Sequence, residues 1–279
     1  MERAKIMGIV NVTPDSFSDG GEFLDPERAI AHGRKLAAEG ADILDIGGES
    51  TRPGARAVGA EEELRRVRPV VEALAADGSA VSIDTSKAAV AEAALHAGAA
   101  MVNDVTALRA DPELAGLCAE RGSEVVLMHM LGDPRTMQDD PRYDDVVREV
   151  GDFLVERADA ARAAGIADTA LAVDPGIGFG KTTAHNLDLL AHLDVLIARV
   201  GLPLVVGTSR KRFIGRVLAD LGGETGEPPA ERRDDGTLAT TVWAVELGAR
   251  VVRVHDAKAA SRAIDLLELI EQVVTVEAA

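Results

Sequence analysis

Apolar β-type runs alternate with helical patterns from one end of this 279-residue chain to the other. The strand candidates are Lys5–Val12, Ala41–Ile46, Ala80–Asp84, Ala100–Val105, Glu124–Met130, Leu171–Asp174, Pro203–Thr208 and Arg250–His255. Between and after them lie Ala-, Glu- and Arg-rich helical stretches, most closed by glycine: Pro26–Gly40, Glu61–Asp77, Lys87–Gly98, Pro112–Gly122, Asp144–Gly165, Ala184–Gly201, Lys211–Leu221, Gly236–Gly248 and Ala257–Val273. Eight strand-then-helix units are what a parallel (β/α)8 barrel, the TIM barrel, requires. Aromatic residues make up only 3% of a chain that is 47% hydrophobic, so Ala, Val, Leu and Ile must fill the core, as they do in such barrels. No linker interrupts the pattern, and residues 1–279 read as a single domain. Gly222–Asp235, rich in Gly, Pro and charge, reads as an exposed, mobile insertion in the seventh crossover without a chemical role.

A net charge of −17 argues against nucleic acid or an anionic membrane as a partner and suits a solvated surface. Cys118 stands alone, so no intramolecular disulfide can form and a reducing, cytoplasmic setting is expected. The first residues enter a strand pattern at once, and no later run is long enough to span a bilayer.

The strand ends carry the chemistry. Asn11, Asp45 with Glu49, Asp84, Asn103 with Asp104, His129, Asp174, Ser209 to Lys211, and Arg253 with His255 all fall at carboxyl ends, which a parallel barrel gathers on one face. The amino ends, such as Ala41, Ala80 and Pro203, are bland. In LAVDPGIGFGK, a short run ends on Asp174, Pro175 stops it, and Gly176, Gly178 and Gly180 open a flexible loop able to approach a ligand closely. It fits neither the P-loop nor the dinucleotide fingerprint. Asp84, Asn103 and Asp174, with Lys211, suit a flat heterocycle with an amidine-like donor edge; the alternatives are a helix cap for Asp84 and an Asx turn for Asp174. Arg253 and His255 alternate onto one side of a strand and are able to hold a phosphate or diphosphate; the alternative pairs Arg253 with Glu246 or Asp256. Three cations, Arg210 to Arg212, at a helix start are unfavourable without an anionic ligand or acidic neighbours. His129, between two methionines, reads as a satisfied core histidine. Thr13–Leu24 and Glu49–Ala60 are long loops suited to be lids, with Asp19 and Arg52 meeting across them and Phe17 covering an aromatic substrate. No HExxH or Cys/His cluster is present, so any metal is a hard ion held by oxygens, Asn11 and phosphate, which suits Mg2+.

Taken together, MGIVNVTPDSFSDGG (Met7–Gly21), GGESTRPG (Gly47–Gly54), VSIDT (Val81–Thr85), VNDV (Val102–Val105), DPGIGFGK (Asp174–Lys181), GTSRKRF (Gly207–Phe213) and RVHD (Arg253–Asp256) resemble the signatures of the dihydropteroate synthase family. The resemblance implies a (β/α)8 barrel that condenses 6-hydroxymethyl-7,8-dihydropterin diphosphate with p-aminobenzoate, releasing diphosphate by an SN1-like step. It implies that Asp84, Asn103, Asp174 and Lys211 hold the pterin, that Asn11 ligates Mg2+, and that Thr51, Arg253 and His255 bind the diphosphate. Phe17, Pro53, Phe179, Lys211 and Arg212 would border the p-aminobenzoate pocket, with Asp19 and Arg52 closing the lids. It also implies a homodimer and, with no insertion after Arg52, sulfonamide competition with p-aminobenzoate. Arg212 stands where many relatives have Ser, and Thr106-Ala107-Leu108 replaces a Ser-Gly-rich turn. A methyltetrahydrofolate-binding methyltransferase barrel would share the pterin acids without needing the Ser209–Lys211 and Arg253–His255 cations. A non-catalytic pterin-binding paralogue would not need Asn11, Thr51 and the cations intact. A plain phosphate-binding barrel would not need Asp84, Asn103 and Asp174 together.

Overall fold

The strands β1 (Lys5–Asn11), β2 (Ile43–Gly47), β3 (Ala80–Asp84), β4 (Met101–Asp104), β5 (Glu124–Met128), β6 (Leu171–Asp174), β7 (Val205–Val206) and β8 (Val251–Val254) all run parallel in one sheet. The computed structural model that places them describes residues 3–13, 26–51, 55, 57–223 and 226–277. The sheet order is β6-β5-β4-β3-β2-β1-β8-β7. A parallel bridge between Val173 and Leu204, with the Val173 N–H donating to the Pro203 carbonyl at 2.9 Å, joins the two edges and nearly closes the barrel. Around it lie α1 (Pro26–Ala38), α2 (Ala60–Ala76), α3 (Ala88–His96), α4 (Leu114–Arg121), α5 (Val146–Ala163), α6 (Thr183–Ala191), α7 (Leu193–Val200), α8 (Arg212–Gly222), α9 (Asp234–Glu246) and α10 (Ala257–Glu277). The expected (β/α)8 barrel is what these residues build.

Two elements differ from the pattern read in the sequence. The seventh strand is shorter than Pro203–Thr208, because Pro203 has no amide to pair and the Thr208 carbonyl already accepts a turn bond from the Lys211 N–H at 3.1 Å. The helix expected over Ala184–Gly201 breaks at His192. There the His192 ring takes the Asp188 carbonyl at 2.9 Å, and the His192 N–H turns to Leu189 instead.

Alternate strand residues face opposite ways. One set, including Ile6, Val10, Leu44, Ile46, Val81 and Ile83, packs outward against helix residues such as Leu36, Val67 and Leu74. The other set begins as an apolar floor of Met7, Ile43, Met101, Val126, Val205 and Val251. Further along the same inward face, Asp45 stands level with Ser82, and Asn11, Gly47, Asp84 and Asn103 form one register row. The barrel interior thus turns from apolar to polar toward the carboxyl ends, which places the site.

Gly222–Asp235, expected to be a free insertion, is pinned to the barrel rim where it is described. Arg233 donates to the Pro228 and Arg210 carbonyls, and Asp234 takes the Arg210 guanidinium at 2.8 and 3.0 Å.

The Thr106-Ala107-Leu108 turn is held by Asp104. Its carboxylate accepts from the Thr106 N–H at 2.8 Å, the Leu108 N–H at 2.7 Å and the Thr106 hydroxyl. Ala107 and Leu108 both sit in the left-handed region, at φ 53° and 60°, a conformation that costs an L-residue roughly 1–2 kcal/mol. Asp104 offsets that cost. Asp104→Ala leaves the Leu108 amide buried without an acceptor and releases the turn, so urea unfolding should show a loss of about 3 kcal/mol; a loss under about 1 kcal/mol would contradict this account.

Candidate active site

Arg253 organises the mouth of the barrel. Carried by β8 on its inward face, it donates from Nε to Asp45 at 2.6 Å and from Nη2 to Asp84 at 2.8 Å. Asn103 Nδ2 donates to the same Asp45 oxygen at 3.1 Å. Asp84, Asn103 and Arg253 therefore form one bonded group with Asp45, a residue whose strand-end position was legible but whose pairing was not. Its inward parity between Ile43 and Gly47 was the available signal. Arg253 does not pair with Glu246 or Asp256. Asp84 is not a helix cap either: the first amide of α3, from Ala88, goes to Asp111 at 2.8 Å.

Asp174 does form the Asx turn, accepting the Gly176 N–H on one oxygen at 2.7 Å. The loop that follows is not flexible. The Gly178 N–H donates to Asn186 Oδ1 at 2.7 Å, Gln138 donates to the Gly178 carbonyl, and the Tyr143 hydroxyl donates to the Gly180 carbonyl. Lys181, fully internal, donates to the Gly176 and Phe179 carbonyls at 2.9 and 3.0 Å and lies 2.8 Å from His129 Nδ1. A Cβ on Gly176, at φ 64°, would lie 1.8 Å from the His129 carbonyl oxygen. This glycine serves a close approach to the end of β5, where a ligand approach had been expected.

Lys211 ends the seventh strand segment and places Nζ 3.9 Å from the centre of the Phe179 ring. Phe179 packs in turn against the cluster of Val105, Met128, Met130 and Met137. The neighbouring cations are engaged elsewhere: Arg210 by Asp234, and Arg212 by Glu227 at 2.9 and 3.3 Å. The acidic neighbours that the basic junction required are thus supplied by the segment after α8, and Arg212 is held in an exposed ion pair with Glu227. His255 shares a bond with Ser209, whose hydroxyl lies 2.8 Å from the ring. Asn11 is half-buried at the end of β1, and Thr51 is half-buried in the loop that follows β2. Phe17, Asp19, Arg52 and Pro53 lie outside the described residues.

Burial sets the electrostatics. It pushes Asp84 up to about 7, against the pull of Arg253 and with the charges of Asp45 and Glu63 adding to the rise. Asp174 is likewise raised by burial, opposed by the Gly176 N–H and by Lys211 and Arg253. Asp174 follows Ala172 on the inward face of β6, so it stands at the same mouth, where the charges of Lys211 and Arg253 act on it. His129 is lowered to about 2 by burial and by the Lys181 charge; with its edge against Phe153 it is the satisfied core histidine expected. A second buried group, Glu63 with Lys87 and Glu49, underpins the start of the Glu49–Ala60 loop.

The Asp84 shift fixes a sign. Its carboxyl holds a proton in the folded chain between the ordinary carboxylate range and about 7, whereas the unfolded chain has lost it. Its contribution to stability is full below the unfolded value and is lost as pH rises toward about 7. Asp84→Asn, with Arg253 still held by Asp45, should gain on wild type as pH rises from 4 to 7, reaching at least about 1 kcal/mol at pH 8. Denaturant unfolding across that range measures it, and a gain that shrinks with pH would refute it.

Comparison with known proteins agrees with this geometry. Residues 7–255 match the model of the pterin binding enzyme family. The dihydropteroate synthase of Neisseria meningitidis serogroup C is 46% identical over 270 residues, 96% of this chain and 93% of that protein. The structure of Xanthomonas albilineans dihydropteroate synthase with 4-aminobenzoic acid superimposes with a TM-score of 0.87 at 51% identity, covering 97% of this chain and 94% of the other. Yersinia pestis dihydropteroate synthase, solved in a sulfonamide drug complex, gives a TM-score of 0.89 at 45% identity over 97% and 95% of the two chains. With the pterin-type carboxylates and cations gathered at one barrel mouth, the chain belongs to the dihydropteroate synthase family of pterin-binding enzymes.

Proposed function

We propose that the chain condenses 6-hydroxymethyl-7,8-dihydropterin diphosphate with p-aminobenzoate, giving dihydropteroate and diphosphate for folate biosynthesis. The observation that carries this reading is the convergence of Asp84, Asn103 and Arg253 with Asp174 and Lys211 around one opening. Asp84, Asn103 and Asp174 offer acceptors to the amino-pyrimidine edge of the pterin, and Lys211 stands above it. Arg253 spends two of its five N–H groups on Asp45 and Asp84, so the rest can meet a diphosphate together with Thr51 and His255. Phe179 with Lys211 walls the aminobenzoate side, joined in this reading by Phe17, Pro53 and Arg212, while Asp19 and Arg52 close over the site.

The reaction suits these groups. The bond between the pterin methylene carbon and the diphosphate oxygen breaks, and both electrons leave with the oxygen. The methylene cation is delocalised into the ring, where Asp84 and Asp174 stabilise it. The arylamine lone pair then forms the C–N bond, and its proton passes to solvent, so no strong general base is needed. Asn11, in register with Gly47 and Asp84, would offer one oxygen to a metal ion. Among the described residues, no three His, Cys, Asp or Glu are grouped for a metal. An ion here would be held by Asn11, water and substrate oxygens, a donor set that fits Mg2+. When bound, Mg2+ would neutralise charge on the leaving diphosphate.

Oxygen-18 exchange between water and the pterin C–O bond, measured without p-aminobenzoate, tests the step: exchange is expected, and strict dependence of cleavage on the amine counts against it. The same preparation should turn over, with sulfonamides competing against p-aminobenzoate; pterin binding without turnover would indicate a non-catalytic paralogue.

The assembly proposed is a homodimer through α10. Leu266, Leu269, Ile270 and Val273 recur at helical spacing and are all more than half exposed, with Trp243 exposed on the adjacent α9. Leu269→Glu with Ile270→Glu should convert a dimer to a monomer in sedimentation; a wild-type monomer at micromolar concentration would refute it.

A further inference from the structure

We propose that Lys181 is a positioning residue for the pterin pocket: its ammonium ties the Gly176–Gly180 loop to the end of β5 and sets a positive charge within reach of Asp174. This rests on the pterin reading of the site. Nothing in that reading assigns Lys181 a role, since it does not face the mouth.

The geometry suits a charged amine. Lys181 has three neighbours at hydrogen-bond distance: the Gly176 and Phe179 carbonyls, which accept, and His129 Nδ1, whose role follows the ring tautomer. His129 is neutral, so its Nδ1 accepts when the ring proton sits on Nε2. Three acceptors consume the three protons of an ammonium. Each bond reaches a different part of the pocket frame. One fixes the residue two beyond Asp174, one fixes the backbone of Phe179, and one fixes the tip of β5, whose own N–H donates to the Asp174 carbonyl at 2.9 Å. Gly176 admits no side chain in this arrangement, so the loop cannot slide without breaking the lysine contacts.

The charge matters as much as the tether. Asp174 is buried, and burial favours its protonated form, which could no longer accept two pterin donors. The groups whose charges act on it are Lys211 from the seventh loop, Arg253 from β8 and Lys181 from its own loop. Lys211 and Arg253 are also the cations assigned to substrate. Lys181 is tied to the Gly176 and Phe179 carbonyls of its own loop. Burial lowers it to about 7, so Lys181 carries its charge below neutral pH.

Lys181→Gln keeps two donors without charge, and Lys181→Met keeps neither. Both should fold as judged by thermal unfolding. By calorimetry at pH 6, the Gln variant should bind 6-hydroxymethylpterin about tenfold more weakly than wild type and the Met variant more weakly still. In both, the acid limb of binding should move to higher pH, and the carbon-13 titration of the Asp174 carboxyl in the unliganded protein should move with it. A drop in affinity with an unmoved acid limb and carboxyl titration would overturn the proposal, because a purely structural strut predicts that pattern. If wild type binds no hydroxymethylpterin, the reading of the site fails, while the unliganded titration still decides the role of Lys181. If neither variant folds, wild type decides: nitrogen-15 signals of Lys181 must report an ammonium at pH 6 that responds as Asp174 protonates, and a neutral amine there overturns the proposal.

Discussion

A guanidinium shared between two buried carboxylates governs this barrel's interior. Arg253 could not occupy the inner face of β8 without Asp45 and Asp84, and the two acids could not stand one strand apart without it. Removing Arg253 leaves two uncompensated carboxylates in a desolvated place, which is costly. The arrangement orients every group in the mouth: Asn103 turns toward Asp45, Asp84 is held toward the opening, and the charge of Arg253 reaches Asp174. Such a network specifies geometry more than it adds stability, because burial still holds the Asp84 carboxyl near neutrality.

The glycine loop shows the same trade. Its backbone groups are satisfied one after another by Asp174, Asn186, Gln138, Tyr143 and Lys181. A loop with this many fixed groups presents Phe179 in one orientation, and Lys211 rests over that ring. Rigid support of this kind suits a site that must align its reactants. The rim itself is acidic and basic in alternation. Asp234 and Glu227 neutralise Arg210 and Arg212, so Lys211 is the cation of the basic junction that stays turned to the Phe179 face.

Much of this was legible in the chain. Strand-then-helix repetition with tip residues such as Asn11, Asp84, Asn103, Asp174 and Arg253 fixes the fold class and the face that carries chemistry, since period-two and period-3.6 patterns and chain-end polarity are local properties. Short motifs added the family, because they record the residue types the site needs in order. The break at His192 and the shortness of β7 were not legible, as each depends on competition between single hydrogen bonds.

Pairing was decided only by tertiary structure. Asp45 and Arg253 lie 208 positions apart, and no local rule says which of many acids a buried arginine meets. Nor does sequence reveal that Gly176 is needed against the His129 carbonyl, or that Lys181 reaches the Gly176 and Phe179 carbonyls and His129. Desolvation belongs to the assembled barrel: a carboxylate's charge state follows from how much water the surrounding chain excludes, and that is a property of three dimensions alone.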